Sequence, residues 1–443
     1  MKIVIIGCTH AGTAVAINSA KLYKNAEITV YERNDNISFL SCGIALHVQG
    51  VVKDPKGLFY SSPEQLRNIG VNTKMRHNVK NVDLKNKKIV VENLETKEEF
   101  DDTFDKLIIT TGSWPIVPDI EGIHMENILL SKNFYHAQDI IKKTEQVKNI
   151  IVIGAGYIGV ELVEAFREHG KNVTLIDIED RILSRYLDKE FTDVAEKALL
   201  ENGVKLALGE KVIKFEGKDN KVRKVITTKN EYETDMVVLA MGFSPNTALF
   251  KGQLDMLENG AIIVDEYMRT SVNDVFAAGD SCAVYYNPEG KYRYIPLATN
   301  AVRMGTIAAY NLAKPTLKYP GTQGTSGIKI YGNNFAATGL TESMAKSQNL
   351  NVDSIIITEN NRPEFMPEYY SLTFKVVYDK NTERILGAQI VSKADLTQSI
   401  NTMSVAIQNK MTIKDLAFID FFFQPHFNKP WNFLNIAGLE YIK

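Results

Sequence analysis

Ser41-Cys42-Gly43 stands directly before an apolar run, Ile44 to Val48, that can form a short helix. A thiol at a helix N-terminus has a lowered pKa and is more thiolate at neutral pH, so Cys42 is the candidate nucleophile and redox group. Cys8 and Cys282 lack such a setting and read as packing residues. Three cysteines are too few for a disulfide framework and lack metal-ligand spacing. The expectation is a reduced, cytoplasmic protein without a metal. His10 lies inside a glycine-bounded turn, an unusual place for an imidazole. If that turn packs beside Cys42, His10 can donate a proton or stabilise charge there. The histidines at 47, 77, 124, 136 and 169 read as structural.

Two turns have the chemistry of phosphate cradles. Gly154-x-Gly156-x-x-Gly159 sits between an apolar strand and a helix. Its glycines permit a tight turn and bring a pyrophosphate close to the helix N-terminus. Asp177 ends the next strand, where a carboxylate can accept from adenosine ribose hydroxyls and repel a 2′-phosphate. Ile178, Glu179 and Asp180 follow, with Arg181 the nearby cation. This predicts a preference for NADH over NADPH. The other turn, Gly7-Cys8-Thr9-His10-Ala11-Gly12, has Thr9 in place of the middle glycine and Glu32 at the ribose position. A downstream run, Thr270-Ser271-x-x-Asp274-Val275-Phe276-Ala277-Ala278-Gly279-Asp280, reads as a strand ending in an acid that returns the chain to the first domain. In flavoproteins with two dinucleotide sites such an Asp accepts a ribitol hydroxyl of FAD. A helix starting near Ala298 would aim its N-terminus at the flavin pyrimidine.

The elements that must position these groups occur twice. Residues 2–33 read strand, Gly-rich turn, helix, strand, and residues 149–178 repeat the plan. Each unit is closed later by a similar strand, Asp105 to Gly112 and Asp235 to Gly242, with Pro115 and Pro245 just beyond. The expectation is an α/β chain with two Rossmann-like dinucleotide-binding domains: residues 1–115 with 243–319 for FAD, and 116–242 for NAD. After Pro320 come strand-like runs at 354–358, 371–378 and 385–391, the last two joined as a hairpin through Asp379–Glu383. Leu396, Ile400, Met403 and Ile407 fall at helical spacing. Ser392 with Asp395, and Thr412 with Asp415, read as capping boxes for two helices.

Composition narrows the classes of function. The chain has 443 residues, 44% hydrophobic and 23% charged, with a net charge of -2. No basic field points to nucleic acid or an anionic membrane. No apolar run approaches the ~18 residues of a membrane span, and Met1 leads straight into a strand-like run without the marks of a signal peptide.

Several stretches match a known family. They are Thr9-His10-Ala11-Gly12, Ile37 to Ile44 around Cys42, Tyr186 to Asp193, Asp265 to Ser271, and Phe421-Phe422-Phe423-Gln424-Pro425. Over nearly its whole length the chain resembles the NADH oxidase and NADH peroxidase group of the flavin-dependent pyridine nucleotide–disulfide oxidoreductases. Thr111 to Pro115, Arg362 to Pro367 and His426 look more like the water-forming oxidases. Disulfide reductases of this plan carry a second cysteine five residues on; here that position is His47, so Cys42 would work alone.

The resemblance implies that Cys42 cycles between thiolate and sulfenic acid with help from His10, so that two NADH reduce O2 to water. It implies that Val79, Thr110, Thr111, Gly112 and Lys132 line the FAD site. Ile158, Tyr186, Gly242 and Gly327 would line the NAD site, and Tyr157 would lie over the flavin and yield to nicotinamide. Residues 320–443 would be a C-terminal α+β dimerisation domain, with the aromatic tail near the flavin of a second copy in a homodimer. Rival readings are an NADH peroxidase acting on H2O2, a coenzyme A disulfide reductase, and a non-catalytic redox sensor. The related coenzyme A disulfide reductases lack the His10 motif.

Overall fold

The computed structural model describes Met1–Lys443. Two all-parallel five-stranded sheets form its centre. In the first, the strand order is Val275–Ala277, Lys106–Ile109, Lys2–Ile6, Glu27–Glu32, Val71–Met75. In the second it is Lys205–Ala207, Asn172–Ile176, Asn149–Ile153, Met236–Leu239, Ile128–Leu130. The inner strands are continuous apolar runs because both faces are covered by other elements, which leaves no solvent face for alternation. Ile3, Val4 and Ile5 are fully buried, and Ile150, Ile151 and Val152 nearly so.

The internal repeat is repeated bond for bond. Gly7 N–H donates to the Tyr31 carbonyl at 2.9 Å, and Gly154 N–H to that of Ile176 at 2.8 Å. Thr110 N–H donates to Ile6 at 3.0 Å, and Ala240 N–H to Ile153 at 2.7 Å. The two closing segments then find each other. Ser113–Pro115 pairs antiparallel with Phe243–Pro245, a ribbon that stitches the two parallel-sheet units together. The first sheet draws its strands from both sides of the second in sequence, since Val275–Ala277 lies beside Lys106–Ile109.

The C-terminal unit is a five-stranded antiparallel sheet ordered Ser326–Ile330, Asn333–Gly339, Ile385–Ser392, Ser371–Asp379, Val352–Asn360. Helices Ser399–Gln408 and Phe433–Ile442 pack on it around Phe374, Met403 and Leu434. The hairpin between the last two predicted strands is present. Of the two predicted capping boxes, Thr412 with Asp415 forms: Thr412 N–H donates to Oδ2 of Asp415 at 2.7 Å and Asp415 N–H to the Thr412 hydroxyl at 3.4 Å. Ser392 with Asp395 does not. Ser392 ends a strand, and its hydroxyl donates to the Ser371 carbonyl at 2.9 Å. Asp395 instead folds a turn onto Thr397, and the helix starts only at Ser399. Turns and caps favour the same short polar side chains, which is why the sequence pattern misled.

Candidate active site

A single cavity of about 1410 Å³ runs from the first glycine turn, past Cys42, to the second. Three of the helices that start at its wall have free N-termini. His10–Leu22, Tyr157–Glu168 and Ala298–Asn311 begin after Thr9, Gly156 and Leu297 with no side-chain cap and no acidic residue in the first turn. Helices Pro63–Asn68 and Phe433–Ile442 are capped in the ordinary way by Ser62 and Asn432. Uncapped N–H groups and the positive end of the helix dipole favour anions, phosphate foremost. Buried polar atoms without partners also face the space: His10 Nε2, Thr111 Oγ1, Tyr294 OH and Gln323 Nε2. Unsatisfied polar atoms are costly unless a ligand or water meets them. This donor set fits a large, anionic, hydrogen-bonding group such as FAD at the first turn and a second dinucleotide at the other.

All the predicted site residues except two line this cavity. Gly12 and Gly159 lie behind it. A Cβ on Gly12 would sit 2.0 Å from the Gly7 carbonyl oxygen, and one on Gly159 1.8 Å from that of Gly154. These glycines are needed so that each helix can press against its own turn. Gly156 is the opposite case: a Cβ there would meet nothing closer than Tyr186 at 3.9 Å, so the room it leaves belongs to the cavity.

The two acids behave alike. Buried Glu32 accepts from Cys8 N–H at 2.8 Å and Asn34 N–H at 2.9 Å. Asp177 accepts from Ala155 N–H, and from Glu179 N–H at 2.9 Å. Each carboxylate ties its strand end to its glycine turn. Arg181 is not free to meet a phosphate, since it is engaged by Asp193, Glu196 at 3.4 Å and the Thr192 hydroxyl at 2.6 Å. Nor is it the only cation: exposed Arg185 also lines the space, 3.7 Å from Glu179. Near the first turn, Ser113 donates to Asp280 at 2.8 Å, and Lys132 Nζ lies 2.8 Å from Ser113 and 3.3 Å from Asp280. The aromatic ring of Phe243 sits under the same ammonium at 4.3 Å.

Cys42 is exposed to the cavity, whereas Cys8 and Cys282 are buried and their thiols pushed up to about 12 by burial. The expected lowering of the Cys42 pKa does not hold for the polypeptide alone. Burial pushes it up, the Glu161 carboxylate adds to this, and Lys132 opposes. The helix beside it, Ile44–Gln49, is only six residues long, so its dipole is weak against those terms. Burial also pushes the His10 pKa down, with Asp280 opposing, which favours the neutral imidazole. Its Nδ1 lies 3.1 Å from the Tyr60 hydroxyl, with the two rings within 6° of parallel.

Tyr60, Glu161, Ser113 and Ser326 escaped the sequence reading. Glu161 alone left a signal, one helical turn after Tyr157 on the face of the dinucleotide helix. Its carboxyl is pushed up to about 7, chiefly by burial and then by Glu164. Removing its charge should therefore favour the thiolate of Cys42. Glu161→Gln is expected to shift the pH profile of Cys42 alkylation by iodoacetamide to lower pH, roughly threefold faster at neutral pH. An unchanged profile refutes that coupling.

The family description "Pyridine nucleotide-disulphide oxidoreductase" matches residues 1–305, and its dimerisation domain matches residues 326–432. An NADH oxidase of Enterococcus faecalis is 55% identical over 99% of this chain and 100% of that protein. One from Streptococcus pyogenes is 43% identical over 99% of each. Among solved structures, the water-forming NADH oxidase of Lactobacillus brevis bound to NADH superposes with a TM-score of 0.98, at 51% identity, covering 100% of this chain and 98% of that one.

Proposed function

The chain belongs to the pyridine nucleotide-disulphide oxidoreductase family, and from that footing we propose that it is an FAD-dependent NADH oxidase that reduces O2 to water, with Cys42 as its redox-active residue. The observation that carries this is one cavity joining two phosphate-type turns to one accessible cysteine. Residues 1–115 and 243–319 hold FAD, residues 116–242 hold NADH, and residues 320–443 form the dimer. When bound, FAD supplies the two-electron chemistry between NADH and oxygen.

The side chains do the rest. Glu32 and Asp280 take ribose and ribitol hydroxyls, the N-termini at His10 and Tyr157 take pyrophosphates, and Asp177 takes the adenosine ribose of NADH. The Cys42 thiolate attacks hydrogen peroxide, the two-electron product of O2. An S–O bond forms, the O–O bond breaks, and the leaving oxygen takes a proton and departs as water. Cys42 is left as sulfenic acid, which two electrons from a second NADH return to thiol with a second water. With the Tyr60 hydroxyl donating to His10 Nδ1, the tautomer that carries its proton on Nε2 is the one that can donate to the leaving oxygen. Lys132, the cation that opposes the rise in the Cys42 pKa, favours the attacking thiolate.

Oxygen uptake tests the reading. One O2 should be consumed per two NADH, with no change on adding catalase. One O2 per NADH, halved by catalase, means a peroxide-forming enzyme. Turnover only with added H2O2 means a peroxidase.

A homodimer is supported by the C-terminal surface. Phe418, Phe422, Phe427 and Trp431 are 73%, 68%, 64% and 51% exposed. Such an apolar patch suits a two-fold partner. No helix is long and apolar enough to cross a membrane, and a cytoplasmic enzyme fits the free thiols. Deleting residues after Pro320 also strips Asp188 of Lys375 and Gln389, and Tyr157 of Ser326. The truncated chain should be insoluble or poor in flavin. A soluble, fully active truncated monomer refutes this assignment.

A further inference from the structure

Two tyrosines stand together in the cavity and are held in different ways. The rings of Tyr157 and Tyr186 lie 4.3 Å apart, tilted by 32°. Tyr157 opens the helix of the second dinucleotide turn, and its hydroxyl meets the hydroxyl of Ser326 at 2.8 Å. Ser326 is the first residue of the edge strand Ser326–Ile330 in the C-terminal sheet. The Tyr157 side chain thus bridges two units of the fold, between the Gly154 turn and the opposite wall.

The chain beside Tyr186 is pinned at Asp188, two residues on, whereas the Tyr186 ring makes no side-chain hydrogen bond and is 38% exposed. The buried Asp188 carboxylate accepts from Glu342 N–H at 2.9 Å, from Ser343 N–H at 3.0 Å and hydroxyl at 2.7 Å, and from Gln389 Nε2 at 2.7 Å. Its own N–H donates to Gln389 at 2.6 Å. Lys375, also buried, lies 3.3 Å from Asp188, 3.0 Å from Glu190 and 2.8 Å from Glu342. Opening that network would strand buried charge. Releasing Tyr157 breaks one neutral hydrogen bond, worth a net factor of about 2–12 in an equilibrium. That single bond is all that ties the Tyr157 hydroxyl across the cavity.

We propose that Ser326 is a latch on the nicotinamide path: its hydroxyl holds Tyr157 across the cavity, and NADH must release it to bring its ring to the flavin site. This rests on the reading that NADH binds at the Gly154 turn. A latch broken on binding costs affinity, because the closed state is favoured in the free enzyme. Ser326 is therefore a positioning residue that sets NADH affinity from the C-terminal sheet.

The test is a double-mutant cycle on the flavin-loaded enzyme without oxygen. Flavin reduction is followed by stopped flow against NADH concentration, giving a Kd and a limiting rate. Ser326→Ala and Tyr157→Phe should each tighten the NADH Kd by about 2- to 10-fold. The double variant should be no tighter than either alone. Ser326→Thr, which keeps the hydroxyl, should return the Kd toward that of the unmodified enzyme. A strictly additive cycle, an unchanged Kd, or weaker binding in both single variants overturns the latch. If NADH does not reduce the unmodified enzyme at all, the functional reading falls, and the latch with it.

Discussion

Cys42→Ser should still oxidise NADH in air but release about one H2O2 per NADH, because a flavin hydride step needs no thiol while peroxide reduction needs a nucleophile. Water formation takes four electrons from two NADH. Without the Cys42 sulfur, the second pair has no acceptor at the site and peroxide diffuses away. Unmodified enzyme should release little. Its oxidised form should trap dimedone at one sulfur, a label the variant loses. Cys8 and Cys282 will not substitute, since both are buried and their thiols are pushed up to about 12. His10→Ala should slow peroxide reduction by about 10²-fold and flavin reduction much less, as expected of a proton donor. Water without detectable peroxide from Cys42→Ser would remove Cys42 from the centre of this account.

NADPH should be used about 100-fold less efficiently than NADH, judged by kcat/KM. A 2′-phosphate would be set against the Asp177 carboxylate, and like charge at close range costs several kcal/mol, of which about 3 kcal/mol already gives this factor. Nothing nearby compensates well. Arg181 is occupied by Asp193, Glu196 and Thr192, and Arg185 lies beside Glu179. Asp177→Ala should narrow the gap at least about tenfold. Adding Ile178→Arg, at a side chain 61% exposed, should narrow it further by supplying a forked cation. Asp177→Ala also leaves the Ala155 and Glu179 N–H groups without their acceptor. A stability loss of about 1–2 kcal/mol should accompany the change. Equal efficiency with both nucleotides in the unmodified enzyme would show that Asp177 does not face the 2′ position.

Much of this was legible because it is local. The two glycine turns, their acids and the closing strands announce themselves within runs of about 30 residues, the length of one βαβ unit. Their repetition gave the two parallel sheets. Cys42 and His10 were visible through their immediate neighbours. Tyr60 and Ser326 were not, because each acts on a residue far away in sequence, His10 and Tyr157, and short motifs carry no record of such meetings. The Asp188 network was hidden for the same reason: its members come from positions 188, 190, 342, 343, 375 and 389. The Cys42 pKa failed differently. Its local setting was read correctly, but the sign of the shift belongs to burial, with the Glu161 carboxylate adding to it, and both are set by tertiary packing.

The return of Val275–Ala277 to the first sheet sets an order of birth. All five strands of the second sheet lie between Ile128 and Leu239, so they leave the ribosome before the edge strand that completes the first. At about 5–20 residues per second, domains can fold as units while synthesis continues. The unit begun first is therefore finished second, and Asp280 and the Ala298 helix arrive later still. The nascent N-terminal half must wait, with Lys106–Ile109 open along one edge, for a strand not yet made. On the proposed assignment, flavin capture would thus be a late event in the life of the chain, and the half proposed for NADH would be ready before the half proposed for flavin can hold its cofactor.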